Sequence, residues 1–180
     1  MSRYTFIVNP TAGKGRGGKL IEPLRKALDQ RSVSYELLQT ERRDHATQIA
    51  QRATGSVVVA VGGDGTVNEI VNGLVGTDRS LGIIPAGSGN DLSKSINLPT
   101  KLHEAISVLL IGKVRPIDVG KVSCYENTGL PLSAGNHHER YFVNGVGVGF
   151  DAAVAERTQR IKYLSGTALY IMAVFQTLGR

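Results

Sequence analysis

The sequence predicts an α/β fold in which a parallel sheet carries helices on both faces, followed by the start of a β-rich second domain. Three observations point there. Apolar runs of strand length alternate with stretches of helical periodicity through about residue 111. One of those runs, residues 57–61 (VVVAV), is apolar at every position, as a strand covered on both faces requires. Glycine-rich turns stand directly after three of the strand runs, at the strand ends where open parallel sheets bind ligands.

Taken in order, residues 4–8 (YTFIV) are β-branched and aromatic and run into the turn signal Asn9-Pro10. Leu20, Ile21, Leu24, Ala27 and Leu28 repeat with the spacing of one helix face, and Pro23 marks the start of that helix or a bend in it. Residues 34–40 read as a second strand. Asp44 stands where an N-cap belongs, ahead of a helix with Ala46, Ile49, Ala50 and Ala53 on its apolar face. After the strand at 57–61, residues 66–74 predict a helix with Val67, Ile70, Val71 and Leu74 inward. Residues 81–84 read as a fourth strand, and Thr100 as the cap of a helix facing inward through Leu102, Ala105, Ile106, Leu109 and Leu110.

The pattern changes after about Lys113. Residues 114–123 and 140–146 read as strands joined by the polar connection 127–138. The expected division is a nucleotide-type α/β domain over 1–120 and an incomplete β-rich domain over 121–180. An apolar helical stripe (Leu169, Met172, Ala173, Leu178), read as core, runs almost to Arg180 and predicts a chain cut from a longer protein.

Composition narrows the class of partner. Glycine numbers 22 of 180 residues, where average usage gives about 13, so backbone must turn sharply or approach a ligand closely. A net charge of +6 suits anionic partners. No basic run interleaved with aromatics appears, which argues against nucleic acid. Cys124 stands alone, so no internal disulfide forms; a reducing cytoplasm and a buried thiol are expected. No apolar run approaches the roughly 20 residues of a spanning helix. The expectation is a soluble cytoplasmic protein able to touch a membrane surface.

The chemistry is concentrated in G-G-D-G-T-V-N-E, residues 62–69. It follows a buried strand and opens a helix, so its amides can converge on an anion. Each such dipole interaction is worth only about 0.3–1 kcal/mol at an exposed site; several donors must act together, and three glycines in four positions let the backbone wrap a polyphosphate. Asp64 would repel phosphate unless it holds Mg²⁺, directly or through water, or accepts a proton from an attacking hydroxyl. A tight structural turn capped by Asp64 is the plainer alternative. N-P-T-A-G-K-G, residues 9–15, adds a hydroxyl and the cation of Lys14 without the spacing of a Walker A loop. P-A-G-S-G-N-D, residues 85–91, adds Ser88 and Asn90 as polar anchors.

These three segments, in the forms N-P-T-A-G-K-G, G-G-D-G-T-V-N-E-I-V-N-G-L and G-I-I-P-A-G-S-G-N-D-L-S-K-S-I-N-L-P, resemble the diacylglycerol kinase catalytic-domain family, which includes bacterial lipid kinases and sphingosine kinases. The resemblance runs from Tyr4 to about Asp118 and more loosely onward. The G-G-D-G-T turn alone is shared with NAD kinases; the following N-E and the G-N-D loop point to the lipid branch. The resemblance implies an NAD kinase-like nucleotide domain, a β-rich domain after it, and transfer of the γ-phosphoryl of Mg-ATP to the hydroxyl of diacylglycerol or a similar lipid in phospholipid metabolism. It implies that ATP is contacted by Asn9, Pro10, Thr11, Ala12 and Gly13, by Thr40, by Gly62, Gly63, Gly65, Thr66, Val67, Asn68 and Glu69, and by Ser88. Lys14 approaches the phosphates, Asp64 and Asp118 join a magnesium and water network, and Lys162 matches loosely a lysine reaching in from the second domain. In the family that domain continues past this point and carries the catalytic acid and further metal ligands, so the isolated chain is expected to bind nucleotide weakly and to be inactive.

Two rival readings remain open on the residues: a kinase acting on NAD or another small molecule, and a nucleotide-binding module without catalysis. The acceptor lipid, the general base and the oligomeric state are not written in these residues. Arg42-Arg43 reads as a solvated turn, with contact to nucleotide or membrane lipid as the alternative; His45, His103 and the His137-His138 pair read as surface residues.

Overall fold

A computed structural model describes residues 3–125, 137–161, 164 and 166–179. Four strands, β1 (Tyr4–Val8), β2 (Tyr35–Gln39), β3 (Val57–Gly62) and β4 (Ser80–Pro85), form a wholly parallel sheet in the order β2-β1-β3-β4. The chain passes first to one side of β1 and then to the other, so a topological switch lies between β1 and β3. Ligands of open α/β sheets bind at such a point, beyond the carboxyl ends of the strands.

Alternation along the strands explains why both faces are covered. Ile7, Val58, Ala60 and Ile83 pack with α3 (His45–Arg52) and α4 (Asp64–Leu74) through Ala46, Ala50, Val67, Ile70, Val71 and Leu74. Phe6, Val8, Val59, Val61 and Ile84 face the other way, onto Leu24, Ala27 and Leu28 of α2 (Ile21–Asp29) and Ala105 and Ile106 of α6 (Leu102–Ile111). Phe6, Ile7, Leu24, Leu28, Ile70 and Ile106 are fully buried. Each such side chain contributes about 1.5–3 kcal/mol relative to exposure.

Several sequence expectations shift in detail. The first glycine loop contains a helix, α1 (Ala12–Lys19), broken at Gly13, Lys14 and Gly15, whose φ angles are 57, 59 and 89°; glycine content hid its helical turn. Pro23 sits in the first turn of α2, where no amide donor is needed. Asp44 does occupy the N-cap of α3, but in left-handed backbone at φ 61° and without a side-chain cap bond. Lys101, one residue after the expected Thr100, precedes α6. A short helix, α5 (Asp91–Ser95), follows the third glycine loop.

Residues 114–119 form no strand; Pro116 lacks a ladder donor. An antiparallel pair, β5 (Gly120–Tyr125) and β6 (His137–Phe142), follows instead. Cys124 is exposed on β5, not buried as its chemistry suggested. By contacts the chain parts into residues 1–143 and 144–180. In the second unit α7 (Phe150–Arg160) and α8 (Gly166–Leu178) pack through Val154, Ile161 and Ala173. Of the expected apolar stripe there, Ala173 is buried, whereas Met172 and Leu178 are exposed. Among the described residues no helix is long and apolar enough to cross a membrane.

Candidate functional site

Sheet register sets the three glycine loops side by side. Val8 pairs with Val61, and Val61 with Ile84, so Asn9, Gly62 and Pro85 leave the sheet at one level. Main-chain bonds continue the ladder into the loops: Asn9 N donates to Val61 O at 3.0 Å, Thr40 N to Val8 O at 2.9 Å, and Ala86 N to Gly62 O at 2.8 Å.

Close backbone packing then welds the loops together. A methyl group at Gly13 would overlap the Ala86 carbonyl oxygen, and one at Gly87 would overlap Gly63 Cα. Side chains add cross-links. Asn9 Nδ2 donates to Thr66 Oγ1 at 3.1 Å, while Asn9 Oδ1 accepts from the amide and hydroxyl of Thr11 at 3.1 and 2.9 Å. Asp64 Oδ1 accepts from Leu92 N at 3.2 Å, tying the second loop to the third. Asn90 folds the third loop on itself, exchanging two 2.8 Å bonds with the Gly87 backbone.

The centre of this arrangement is the start of α4. Gly63 is its N-cap in extended backbone, no side chain caps it, and the first helix-closing bond is Val67 N to Gly63 O at 3.1 Å. The leading amides of such a helix lack intrahelical acceptors and carry the positive end of the dipole. An anion is the natural partner.

Beside this helix start lies a cavity of about 320 Å³ lined by Asn9, Thr11, Thr40, Glu41, Arg42, Arg43, Ala46, Thr66 and Glu69. Five of these are residues that the sequence singled out. Glu41 and Ala46 are additions; Arg42 and Arg43, read from the sequence as a solvated turn, are exposed and also line the cavity. Arg42 is held by Gln48 Oε1 at 2.9 Å. Glu69 reaches across to α3, accepting from Ala46 N at 3.1 Å. His45 Nδ1 accepts from Glu41 N at 3.1 Å, holding the turn ahead of α3.

The remaining expected residues are placed as follows. Pro10 and Ala12 shape the first loop, with Pro10 O accepting from Gly18 N at 3.0 Å and Ala12 N donating to Asn9 O at 3.2 Å. Lys14, Gly65 and Ser88 are exposed on their loops. Val67 turns its side chain into the core, and Asn68 Oδ1 accepts from Val143 N at 3.1 Å. Asp118 is exposed in the segment before β5, and among the described residues no hydrogen bond or ion pair joins it to the loops. Lys162 lies outside the described residues. Among the described residues no group of three or more acidic, histidine or cysteine side chains could cage a metal.

The family model for the diacylglycerol kinase catalytic domain matches residues 3–122, the stretch that holds all three loops and the whole parallel sheet. The chain belongs to this family. It is 31% identical over 182 residues to a diacylglycerol kinase of Staphylococcus saprophyticus, covering 98% of this chain and 55% of that protein. It is 30% identical over 184 residues to a diacylglycerol kinase of Mycobacterium tuberculosis, covering 100% of this chain and 56% of the relative. A crystal structure of a diacylglycerol kinase from Bacillus anthracis aligns with a TM-score of 0.55 at 32% identity, over 68% of this chain and 46% of that one. The chain thus spans about half the length of these family members.

Proposed function

We propose that this chain is the nucleotide-binding half of an ATP-dependent lipid kinase, acting on diacylglycerol or a similar lipid alcohol at a membrane surface in the cytoplasm. The observation that carries the proposal is the convergence of three glycine loops on the uncapped N-terminus of α4, with the Asp64 carboxylate beside them. Phosphoryl transfer depends mostly on positioning and on neutralising charge. The amides of Gly63, Asp64, Gly65 and Thr66 would hold phosphate oxygens, with Lys14 as counter-charge. The cavity lined by Thr11, Thr40, Thr66 and Glu69 would take the nucleoside side of ATP, and Arg42 and Arg43 at its wall favour an anionic ligand.

Mg²⁺ would supply neutralisation of the transferring phosphoryl group. Such ions are held by one or two carboxylates together with substrate phosphates. The residues present fit that mode: within the loops the carboxylates of Asp64 and Asp91 both lie beside Gly89, and Asp64 Oδ1 accepts from Leu92 N. Within this reading Asp118 and Lys162 join the site from the sequence after it, residues 1–120 form the ATP-binding domain, and residues 121–180 begin the part that receives the lipid.

Titrating the chain with Mg-ADP while following its backbone amides by NMR tests the first half of the proposal. Shifts concentrated at Gly63–Thr66 and Thr40 support it; no binding at millimolar Mg-ADP defeats it. In a protein carrying these residues at the length of the relatives, labelled γ-phosphate from ATP should enter the organic phase with diacylglycerol. Label confined to NAD or another water-soluble acceptor would replace the lipid reading.

A further inference from the structure

One face of α4 carries a line of polar side chains four residues apart: Asp64, Asn68 and Asn72. Each accepts from the backbone amide of a residue distant in sequence, Asp64 from the start of α5 and the two asparagines from one segment at the end of β6. Asp64 Oδ1 takes Leu92 N, Asn68 Oδ1 takes Val143 N at 3.1 Å, and Asn72 Oδ1 takes Tyr141 N at 2.9 Å. Asn72 Nδ2 also donates to Tyr141 O, at 2.8 Å. Asn72 therefore meets both main-chain groups of one residue, as a neighbouring strand would.

The spacing is what makes this work. Four helical residues rise about 6 Å, and two strand residues advance about 6.7 Å. Asn68 and Asn72 on the helix thus match Val143 and Tyr141 along the chain. The N–H and C=O of one strand residue point to the same edge, so the asparagines cover the edge of β6 that β5 leaves unpaired. Val143 is buried against α4 and Tyr141 packs on the same core. A second tie lies nearby: Arg140 of β6 is 3.5 Å from Asp44, which follows directly on the cavity residues Glu41, Arg42 and Arg43.

We propose that Asn68 and Asn72 are positioning residues that couple occupancy of the nucleotide loop to the seating of the β5–β6 hairpin on α4. This rests on the nucleotide reading above. Anchoring a polyphosphate on the first turn of α4 steadies the helix that carries both asparagines, and a seated hairpin steadies that helix in return. Such coupling is reciprocal: the factor by which nucleotide stabilises the hairpin contact equals the factor by which the contact tightens nucleotide binding.

Amide hydrogen exchange on the chain, with and without saturating Mg-ADP, tests this. The expected result is protection at Gly63–Thr66, together with exchange at Tyr141 and Val143 slowed by about fivefold relative to amides of α6. Asn72→Ala should weaken Mg-ADP binding by the same factor and abolish the nucleotide effect at Tyr141. Protection at Gly63–Thr66 with unchanged exchange at Tyr141 and Val143 overturns the coupling and leaves the nucleotide reading standing. Absence of protection at Gly63–Thr66 removes both. The wild-type comparison decides the matter even where Asn72→Ala fails to fold.

Discussion

The Asn9 carboxamide is a bridge between the first two glycine loops, donating through Nδ2 to Thr66 Oγ1 at 3.1 Å while its Oδ1 accepts from both the amide and the hydroxyl of Thr11. One side chain therefore fixes where the loop after β1 stands relative to the first turn of α4. Asn9→Ala should cost about 1 kcal/mol of stability. It should weaken Mg-ADP binding more than it weakens folding, because the loops lose their register. Urea unfolding and calorimetric titration on the same sample separate the two; equal affinity for variant and parent would show that the bridge only supports the fold.

Gly87 backs directly onto Gly63, so Gly87→Ala forces a methyl group into backbone. Overpacking of this kind costs about 1–3 kcal/mol, and each kcal/mol lowers the melting temperature by about 2–4 °C at this chain length. Ser88→Ala, on the exposed neighbour, should stay within about 0.5 kcal/mol. Thermal melts of the pair check the contrast, and matching melting temperatures would mean the two loops part easily.

Asp64→Asn keeps an oxygen able to accept from Leu92 N but removes the charge. The fold should persist while the Mg²⁺ dependence of ADP binding falls by about tenfold, on the scale of a lost charge-assisted contact. Titrations in Mg²⁺ and in chelator measure this directly. In a catalytically competent protein, Asp64→Ala should lower kcat by at least about 10²-fold. Activity within a factor of three of the parent would remove Asp64 from the chemistry.

Tyr35 donates its hydroxyl to Asp29 Oδ1 at 2.9 Å. Burial, and then the neighbouring Asp29 carboxylate, hold its phenol above the ordinary value of 10.0. A folded value above the unfolded one stabilises the fold fully below the unfolded value, and that contribution disappears as pH rises through the folded one. Stability should therefore decline above pH 10, and Tyr35→Phe should make the decline shallower. Denaturation midpoints between pH 9 and 11.5 give the comparison; parallel curves would assign the decline to other groups.

Much of the architecture was legible along the chain because it depends on local pattern. The apolar run at 57–61 has the pattern of a strand covered on both faces, and β3 is that strand. Helix faces such as Leu24, Ala27 and Leu28 declared themselves by spacing and are buried. Less legible was α1, since a helical turn rich in glycine has no local preference for helix. Residues 114–119 carried apolar side chains but no partner strand, and β-type residues do not make a strand without one.

By itself the sequence determined the alternation of strands and helices, the three glycine loops at strand ends, and Asp64 as an acidic residue in the middle one. These follow from period, turn chemistry and short-range motif. Only the tertiary structure decided which groups those loops touch, that Arg42 and Arg43 wall the neighbouring cavity, and that Asn68 and Asn72 hold amides 75 and 69 residues away. Contacts of that range arise when sheet order and register bring segments together in space, and no local pattern in the chain encodes them.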